Sequence, residues 1–466
     1  MATYPWFVLG PNTLLSLWGM FRGHGRKEAA VAAAPHVPLR DIKVDVVIPA
    51  LNEEATIPLC LASIAKQTLL PRQVILVDDG SEDNTVEYAR TMGEICGLPL
   101  RIIQRGSPAG KTPTLKRQAR ELDCDVELVV DSDTILESDN YIERVVEILY
   151  QTPGVGCAFG CVLPLRDKDR VRMFGKEEVK RFFSRHPGAV LQLESGWKHR
   201  TMRALTNLYR DVLYMFVQRF INRGQMALFG STINPVGCAV AYRRNYLEKV
   251  FDHYEPVFGD NLTNSEDIFI GFALLSRGYR NVQVCDVYMR SQEPEATRLP
   301  RQFYLWSSAF LQSCYYLDDL VRSPFRLFRR RRHERQTRKI AESIKRNRRR
   351  IDDPYRQPFG DHVARRLGRP MGWAVFFSLA EKIFYPTAIV IMVLLGLWEE
   401  LTVTVLAEIL ITTSVLVFIA EGQRLEYLFK GLAATPIRYM SLFYDWVTVG
   451  RFAKDIWITK NTQWRK

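Results

Sequence analysis

The sequence lacks the cysteine patterns that mark disulfide-stapled and zinc-binding proteins. Its eight cysteines are scattered along 466 residues, and no two of them are separated by exactly two residues. We also recognise no cleavable signal peptide ahead of them. We therefore expect free thiols in a reducing compartment, not a secreted, disulfide-rich fold.

Excess charge is also missing from most of the chain. The formal net charge is +13, but residues 322–369 contain 18 Lys or Arg and 5 Asp or Glu, which accounts for the whole excess. No nucleic-acid-binding motif accompanies these basic runs, so we expect no nucleic-acid partner. The 47% apolar content is enough for large cores in roughly two or three domains.

What the sequence does contain is a series of strands alternating with helices. Apolar runs predict strands at residues 44–49, 73–77, 100–104, 128–130, 154–162 and 235–242, with helices at 56–66, 86–92 and 111–120. This alternation predicts an α/β fold whose sheet is parallel and covered on both faces. We interpret the densely charged residues 166–185 as a solvated insertion.

Two aspartates, one residue apart, end the fourth strand. Side chains at positions i and i+2 of an extended segment point the same way, so Asp131 and Asp133 can face one ligand. Ligands of open α/β sheets bind beyond the carboxyl ends of the strands, and two carboxylates there suit Mg²⁺ or Mn²⁺ shared with a diphosphate. The alternative is that one aspartate caps a helix beginning near Ser138.

Three motifs together resemble those of family 2 glycosyltransferases with the GT-A fold. Residues 48–53 (IPALNE) are similar to that family's opening strand and loop, residues 77–81 (VDDGS) to its nucleotide-binding turn, and residues 131–133 to its DxD triplet. The resemblance covers about residues 43–313 and implies a Rossmann-like mixed sheet and a nucleotide-sugar donor, most often a UDP-sugar. It favours the metal site over the helix cap.

The same resemblance implies which residues bind the donor. They are Pro49, Asn52, Glu54 and Asp79 for the base and ribose, Lys111 and Asp131 for the nucleotide or diphosphate, and Asp131 with Asp133 for the metal. Residues 110–112 also resemble a phosphate loop, but the upstream glycine at Walker spacing is absent. This absence excludes an NTPase.

A second acidic motif lies at residues 264–271 (NSEDIFIG). It resembles the family's acidic sequence at a helix start, where free N–H groups and the helix dipole stabilise an anionic side chain. The resemblance implies that Asp267 is the catalytic base of an inverting transfer, with Glu266 beside it. The alternative is that both acids cap the helix.

Gln302 and Trp306 match two positions of the Gln-x-x-Arg-Trp motif found in cellulose, chitin and hyaluronan synthases and in some lipid glucosyltransferases. An indole can stack on a sugar, so this pair is expected to bind the acceptor. Leu305 replaces the arginine, and Arg298 or Arg301 could supply the missing guanidinium. The alternative is an aromatic stripe on an ordinary core helix.

Two long apolar segments follow, at residues 376–398 and 401–420. Each is long enough to cross a bilayer, and basic residues on both flanks predict that both ends are cytoplasmic and meet anionic membrane lipids. Glu381, Lys382 and Glu408 would then have to snorkel, pair or face a polar path. A buried hairpin in a soluble protein is the alternative.

Aromatic segments lie at both ends of the chain. Residues 4–21 predict a segment at a membrane surface or a hydrophobic arm packed on the protein itself. Residues 205–229 predict a helix, either in the core or near the membrane. Residues 431–466 are basic and rich in tryptophan, which predicts an amphipathic helix in the membrane interface.

These interpretations divide the chain into five parts. They are an N-terminal membrane-surface segment and linker (1–40), a GT-A glycosyltransferase domain (41–320), a basic membrane-proximal linker (321–370), a two-helix transmembrane hairpin (371–422) and an interface helix (423–466).

We therefore predict a multi-pass enzyme of the inner or plasma membrane, with a cytoplasmic catalytic domain and a Mg²⁺ or Mn²⁺ cofactor. The predicted activity is that of an inverting, processive polysaccharide synthase that extends a glycan. Two helices cannot enclose a sugar chain, so this activity would require a homo-oligomer or a pore-forming partner. The alternative is a single transfer to a lipid acceptor such as a polyprenyl phosphate or a glycolipid.

Overall fold

The computed structural model describes residues 10–23, 38–152, 154–191, 196–258, 265–343 and 361–460. Within these ranges eight strands form one sheet, in the order β3-β2-β1-β4-β7-β6-β8-β5. The strands are β1 (Val44–Ala50), β2 (Gln73–Asp78), β3 (Leu100–Gln104), β4 (Val126–Val130), β5 (Thr134–Leu136), β6 (Val155–Pro164), β7 (Ala239–Arg243) and β8 (Arg280–Ser291).

Helices cover the sheet and continue beyond it. In the first half they are α1 (Pro11–Gly23), α2 (Ile57–Ile64), α3 (Thr85–Cys96), α4 (Lys111–Glu121), α5 (Tyr141–Gln151), α6 (Asp167–Phe174), α7 (Glu177–Arg185), α8 (Trp197–Phe216), α9 (Arg223–Phe229) and α10 (Arg244–Phe258). In the second half they are α11 (Glu266–Ser276), α12 (Leu299–Tyr316), α13 (Asp318–Val321), α14 (Leu327–Ser343), α15 (Asp361–Leu367), α16 (Gly372–Leu394), α17 (Trp398–Ile419), α18 (Arg424–Ala433) and α19 (Thr435–Lys454). A π-helical segment, Val217–Asn222, joins α8 to α9.

The sheet is mixed, as the GT-A resemblance implies. Strands β3, β2, β1 and β4 are parallel, β7 runs antiparallel to β4, and β5 runs antiparallel to β8. The wholly parallel sheet predicted from the alternation therefore holds only for the first four strands. Because β4 and β7 are antiparallel, the end of β4 lies beside the start of β7, and the Asp131 N–H donates to the carbonyl oxygen of Cys238 at 2.8 Å.

Both faces of the sheet are buried, which explains why its strands read as continuous apolar runs. Along β4, Leu128 and Val130 belong to the core beneath α2 and α5, whereas Val129 packs on the other face with residues of α4 and α11. The two cores fix the sheet rigidly and leave its carboxyl edge free to carry polar groups.

The charged residues 166–185 are not the solvated insertion that the sequence predicted. They form α6 and α7, in which Val179 and Phe182 are completely buried against the sheet core. The Arg170 side chain is also buried and donates to the carbonyl oxygens of Ala55 (3.1 Å) and Leu191 (3.3 Å). The prediction failed because a helix of high total charge can still bury one apolar stripe.

The two apolar segments are helices α16 and α17, of 23 and 22 residues. They are long and apolar enough to cross a membrane and are mostly not buried by the rest of the protein, which is weak evidence for membrane anchoring. Their bounds differ slightly from the predicted ones, and Glu399 and Glu400 lie in the first turn of α17.

Three charged side chains within these two helices, Glu381, Lys382 and Glu408, have polar partners. Lys382 Nζ lies 2.7 Å from Asp445 Oδ1 on α19, and Glu408 accepts hydrogen bonds from Arg438 on the same helix. Glu381 accepts the Asn12 N–H at 2.7 Å. Pairing is one of the conditions under which charged groups are tolerated in a span.

Helix α1 has one packed and one exposed face. Its backbone approaches α9 so closely that Gly19 faces Gly224, while Trp18 and Phe21 are exposed. Residues 1–9 lie outside the described ranges. The contact between α1 and α9 shows that α1 is an arm packed on the protein. Its aromatic face is exposed, and its position at a membrane surface stays a prediction.

We expect Gly224→Ala to destabilise the protein by about 1–3 kcal/mol, because overpacking at a close helix contact forces backbone shifts. A Cβ at position 224 would lie 2.5 Å from both the Cα and the carbonyl oxygen of Ser16. Thermal unfolding of purified protein in detergent measures the effect. The matched control is Gly450→Ala on α19, where a Cβ meets no atom within 4 Å and the midpoint should not fall.

Candidate active site

The two aspartates at the end of β4 lie in a turn, not at a helix start. The Thr134 N–H donates to the Asp131 carbonyl oxygen at 2.9 Å, and β5 begins at once. The next helix, α5, has Asn140 as its N-cap residue. The helix-cap alternative is therefore wrong for this pair, whose carboxylates stand at the carboxyl edge of the sheet.

Lys111, the first residue of α4, connects this pair to the second acidic motif. Its Nζ lies 2.6 Å from Asp131 Oδ1 and 2.8 Å from Glu266 Oε1, and it donates to the Gly237 carbonyl oxygen at 3.2 Å. One ammonium thus brings together residues that are far apart in sequence. Asp131 and the start of α11 consequently open onto the same cleft.

Asp267 lies in this cleft beside Glu266. Ser265 donates a hydrogen bond to Asp267 Oδ1, and a Cβ on Gly237 would lie 2.6 Å from Asp267 Oδ2. Gly237 thus leaves room for the carboxylate at the start of β7. Burial and the neighbouring charge of Glu266 raise the pKa of Asp267 to about 6, which is the range of a general base working near neutral pH.

Negative charge is concentrated at the DxD triplet. Burial, followed by the charge of Asp131, raises the pKa of Asp133 to about 8, and burial also raises the pKa of Asp131. Glu53 is close enough to contribute, and burial with the charge of Asp131 raises its own pKa as well. A bound cation beside these acids would stabilise their ionised forms and lower their pKa values.

The donor set of Asp131 and Asp133 fits Mg²⁺ or Mn²⁺. In the described ranges no three His, Cys, Asp or Glu side chains form a complete metal-binding cluster. Mg²⁺ is commonly held by one or two carboxylates and completes its shell with substrate phosphates and water. A pair of carboxylates is therefore consistent with a metal ion shared with a diphosphate.

The first two loops hold each other in place. Asn52 has a left-handed backbone (φ 56°), its N–H donates to Ser81 Oγ at 2.9 Å, and its Oδ1 accepts the Glu82 N–H at 2.9 Å. Glu54 Oε2 accepts from the backbone and side chain of Asn84. Pro49 is on β1, paired with Val77 of β2. These contacts order the loops in which the predicted nucleotide-binding residues lie.

Asp79 organises the loop that leads to Lys111. Its two carboxylate oxygens accept the N–H groups of Ala109 (2.8 Å) and Gly110 (2.7 Å), and Arg105 lies 3.0 Å away. Burial acts to raise the pKa of Asp79, but these hydrogen bonds and the guanidinium outweigh it, and the pKa is lowered. Asp79 is therefore ionised at neutral pH and fixes the start of α4.

Gln302 and Trp306 lie one turn apart on α12, and both contact Arg210 of α8. Arg210 Nη2 donates to Gln302 Oε1, and its guanidinium carbon lies 4.5 Å from the centre of a Trp306 ring. Arg210 thus places a guanidinium beside this pair, and the replacement of the motif's arginine by Arg298 or Arg301 in contacts to the donor diphosphate stays a prediction. Trp306 is 37% exposed, which is more than an aromatic residue of a closed core would be.

Sequence reasoning missed several charged residues around the site: Glu53, Arg105, Arg170, Arg210 and Glu293. Glu53 stood in a quoted motif, but Glu54 was preferred to it. Arg170 was hidden in a stretch interpreted as solvated, although it lies close enough to Asp133 to interact electrostatically. Arg210 and Glu293 have no local motif that could have indicated their position.

The cleft and its acids define an enzyme of the nucleotide-sugar-dependent glycosyltransferase class, on a mixed α/β sheet of the GT-A type. Residues 42–309 match the sequence profile described as "Glycosyltransferase like family 2", and the chain belongs to this family.

Individual relatives agree with this assignment. An N-acetylglucosaminyltransferase of Bradyrhizobium elkanii is 37% identical over 119 residues, which are 25% of this chain and 64% of that protein. The O-antigen chain rhamnosyltransferase of Salmonella typhimurium is 30% identical over 269 residues, 58% of this chain and 72% of that protein. The chain thus spans just under two thirds of the first relative.

Among solved structures, the mannosyltransferase PcManGT from Pyrobaculum calidifontis, in complex with GDP-Man and Mn²⁺, superposes with a TM-score of 0.49 at 16% identity. The superposition covers 96% of this chain and 95% of that one.

Proposed function

We propose that this protein is a membrane-bound, metal-dependent, inverting glycosyltransferase that takes its sugar from a UDP-sugar. One observation carries the proposal: Lys111 bridges Asp131 of the DxD triplet and Glu266 of the second acidic motif, so that Asp267 faces the same cleft. This arrangement provides a site for an anionic leaving group and a base for the acceptor within one opening.

The residues of the cleft divide the chemistry between them. Lys111 and the two loops ordered by Asn52 and Asp79 hold the donor, with its diphosphate toward Asp131 and Asp133. A bound Mg²⁺ or Mn²⁺ would neutralise charge on the departing diphosphate. Asp267 takes the proton of the acceptor hydroxyl while that oxygen forms a bond to the anomeric carbon.

Inversion follows from attack on the side opposite the leaving group. The bond between the anomeric carbon and the diphosphate oxygen breaks as the new glycosidic bond forms, and the nucleoside diphosphate leaves with the electron pair. The proton remains on Asp267. The transition state resembles an oxocarbenium ion, as in glycoside hydrolysis. Glu266 is engaged with Lys111 at 2.8 Å, which leaves Asp267 as the better base.

The proposed base predicts a pH dependence. Asp267 must be ionised to accept a proton, and its pKa is raised to about 6. We therefore expect kcat to fall about tenfold for each pH unit below 6 and to level off above it. A pH–rate profile with saturating substrates measures this. A profile that stays flat well below pH 6 would contradict the role of Asp267.

The position of the two apolar helices supports a cytoplasmic site at a membrane. Arg369, just before α16, donates from Nε to the Ser276 carbonyl oxygen of α11 at 3.1 Å. Lys430, after α17, lies 2.6 Å from Asp211 of α8. Both ends of the hairpin thus contact the catalytic domain, which supports the proposal that they lie on its side of the membrane.

Two acceptors are consistent with this site. A growing glycan, extended processively, is supported by Gln302 and the partly exposed Trp306 on α12. Because two spans cannot enclose a sugar chain, this activity requires self-association or a pore-forming partner. A single transfer to a lipid-linked acceptor requires no pore, and the pairing of Lys382 and Glu408 within the chain supports it, since paired charges need no polar path.

The products separate the two acceptors. Purified protein in detergent is incubated with a membrane-lipid extract, Mg²⁺ or Mn²⁺ and a panel of radiolabelled UDP-sugars, beginning with UDP-N-acetylglucosamine. Processive extension gives labelled material of high molecular weight, whereas a lipid acceptor gives an organic-soluble, monoglycosylated product. Absence of any transfer across the panel would refute the proposed activity.

A further inference from the structure

Arg210 is a buried cation held by groups from two other segments of the chain, the loop after β8 and helix α12. Its Nε lies 2.7 Å from Glu293 Oε2, its Nη2 donates to Gln302, and its guanidinium stacks on Trp306. The side chain is fully buried, and Nη1 has no hydrogen-bond partner in the part of the chain that the structure describes. Tyr214 donates a hydrogen bond to the other oxygen of Glu293, so the cluster is otherwise satisfied.

This stacking leaves Trp306 with one face for a ligand. The guanidinium lies over the other face, at 4.5 Å from the ring centre. A sugar binds an indole through its own apolar face. With one side of the ring covered, an acceptor can stack from one direction only, which limits the hydroxyl groups that it can present toward Asp267.

The cluster is electrostatically coupled to the DxD triplet, because the negative charge of Glu293 is one of the causes that raise the pKa of Asp133. Trp306 and its supporting arginine are thus connected to the donor side of the cleft through Glu293.

We propose that Arg210 positions the acceptor carbohydrate indirectly: it fixes Trp306 in one orientation and covers one face of the ring, so that the sugar stacks on the other face only. This inference rests on the proposed function and specifies its acceptor site. The α12 motif has Leu305 in place of arginine. In this proposal the arginine that helps to orient the acceptor comes from α8 instead.

The test uses the full-length protein in detergent with Mn²⁺ and two substitutions. Arg210→Lys keeps the charge but loses the fork, and the pair Arg210→Ala with Glu293→Gln removes both buried charges together. The donor is the sugar nucleotide that the wild type uses in the panel, beginning with UDP-N-acetylglucosamine. The acceptor is the purified product of one round of transfer.

We expect both variants to raise the acceptor KM by about tenfold or more, while hydrolysis of the donor without acceptor stays within about threefold of wild type. The linkage of the product, determined by NMR, should become mixed. Millimolar guanidinium ion should restore part of the acceptor KM in the double variant, since it can occupy the vacated position.

Arg277→Lys is the matched control. Arg277 is also fully buried and stacks on an aromatic ring, that of Tyr254, but it lies at the far end of α11 from Asp267. The control should retain the wild-type acceptor KM and a single linkage. An unchanged acceptor KM and linkage in folded Arg210→Lys would refute the positioning role. A loss of donor hydrolysis as large as the loss of acceptor use would refute it too. A wild type inactive on every donor would instead refute the proposed function, and this inference with it.

Discussion

Replacing Asp267 with asparagine is expected to lower the rate of sugar transfer by about 10²–10⁴-fold, the usual contribution of a general base. The amide cannot take the proton of the acceptor hydroxyl. Asparagine has nearly the same size as aspartate, so the packing against Gly237 and the hydrogen bond from Ser265 can be retained. Steady-state transfer with saturating donor and acceptor measures the loss.

Donor binding separates this prediction from a loss of folding. Asp267→Asn should bind UDP and Mn²⁺ as the wild type does, because Lys111, Asp131 and Asp133 are untouched. The control is Asp252→Asn, which changes an exposed acid on α10 that pairs with Arg120 and should leave transfer intact. If Asp267→Asn turned over near the wild-type rate, Asp267 could not be the base. Glu266 would then be the first candidate for that role.

The first four strands of the sheet could be predicted accurately because their residue patterns are simple. Strands β1, β2 and β4 are covered on both faces and read as apolar runs that end where the polar loop begins, whereas β3 is an edge strand with Arg101 and Gln104 exposed. The predicted limits of β3 agree with the structure, and those of β1, β2 and β4 differ by at most two residues at either end. The DxD turn could be located for the same reason, since it directly follows such a run.

Contacts between distant segments could not be predicted. The hydrogen bond from Arg210 to Gln302 joins residues 92 positions apart, and no spacing rule relates them. Two strands were also missed. The three residues of β5 give too little pattern to distinguish a strand from a turn, and β8 (Arg280–Ser291) is neither a continuous apolar run nor a regular alternation. Local patterns thus predicted the acids of the cleft, whereas the buried arginines around it required the fold.

The membrane region and the candidate site share structural elements. Helix α19 packs along α12, where Arg451 lies 5.1 Å from the Tyr304 ring centre, and it also carries Asp445, the partner of Lys382 on α16. Residues 461–466, including Trp464, lie outside the described ranges. The helix predicted to rest in the membrane interface therefore contacts both the apolar hairpin and the helix of Trp306.

Asp133→Asn is expected to lower transfer by at least about 100-fold, because the substitution removes one of the two charges that would hold the metal ion against the diphosphate. Asp133 is a cleaner test than Asp131. The Asp131 carboxylate lies 2.6 Å from Lys111, so replacing Asp131 would also remove an ion-pair partner of that lysine. The same variant should bind Mn²⁺ more weakly, which titration calorimetry in the presence of UDP measures directly. Chelation of divalent ions from the wild type should abolish transfer, and added Mn²⁺ or Mg²⁺ should restore it.

A buried acid elsewhere in the sheet distinguishes metal binding from stability. Asp45 on β1 is completely buried and pairs with Arg72 at 2.6 Å, away from the carboxyl edge of the sheet. Asp45→Asn should therefore reduce stability without changing the affinity for Mn²⁺. Asp133→Asn should weaken Mn²⁺ binding without reducing stability, since it removes an acid whose pKa is raised by burial and by repulsion from Asp131. If Asp133→Asn bound Mn²⁺ and turned over as the wild type does, the paired aspartates could not be the metal site, and Lys111 would have to hold the diphosphate alone.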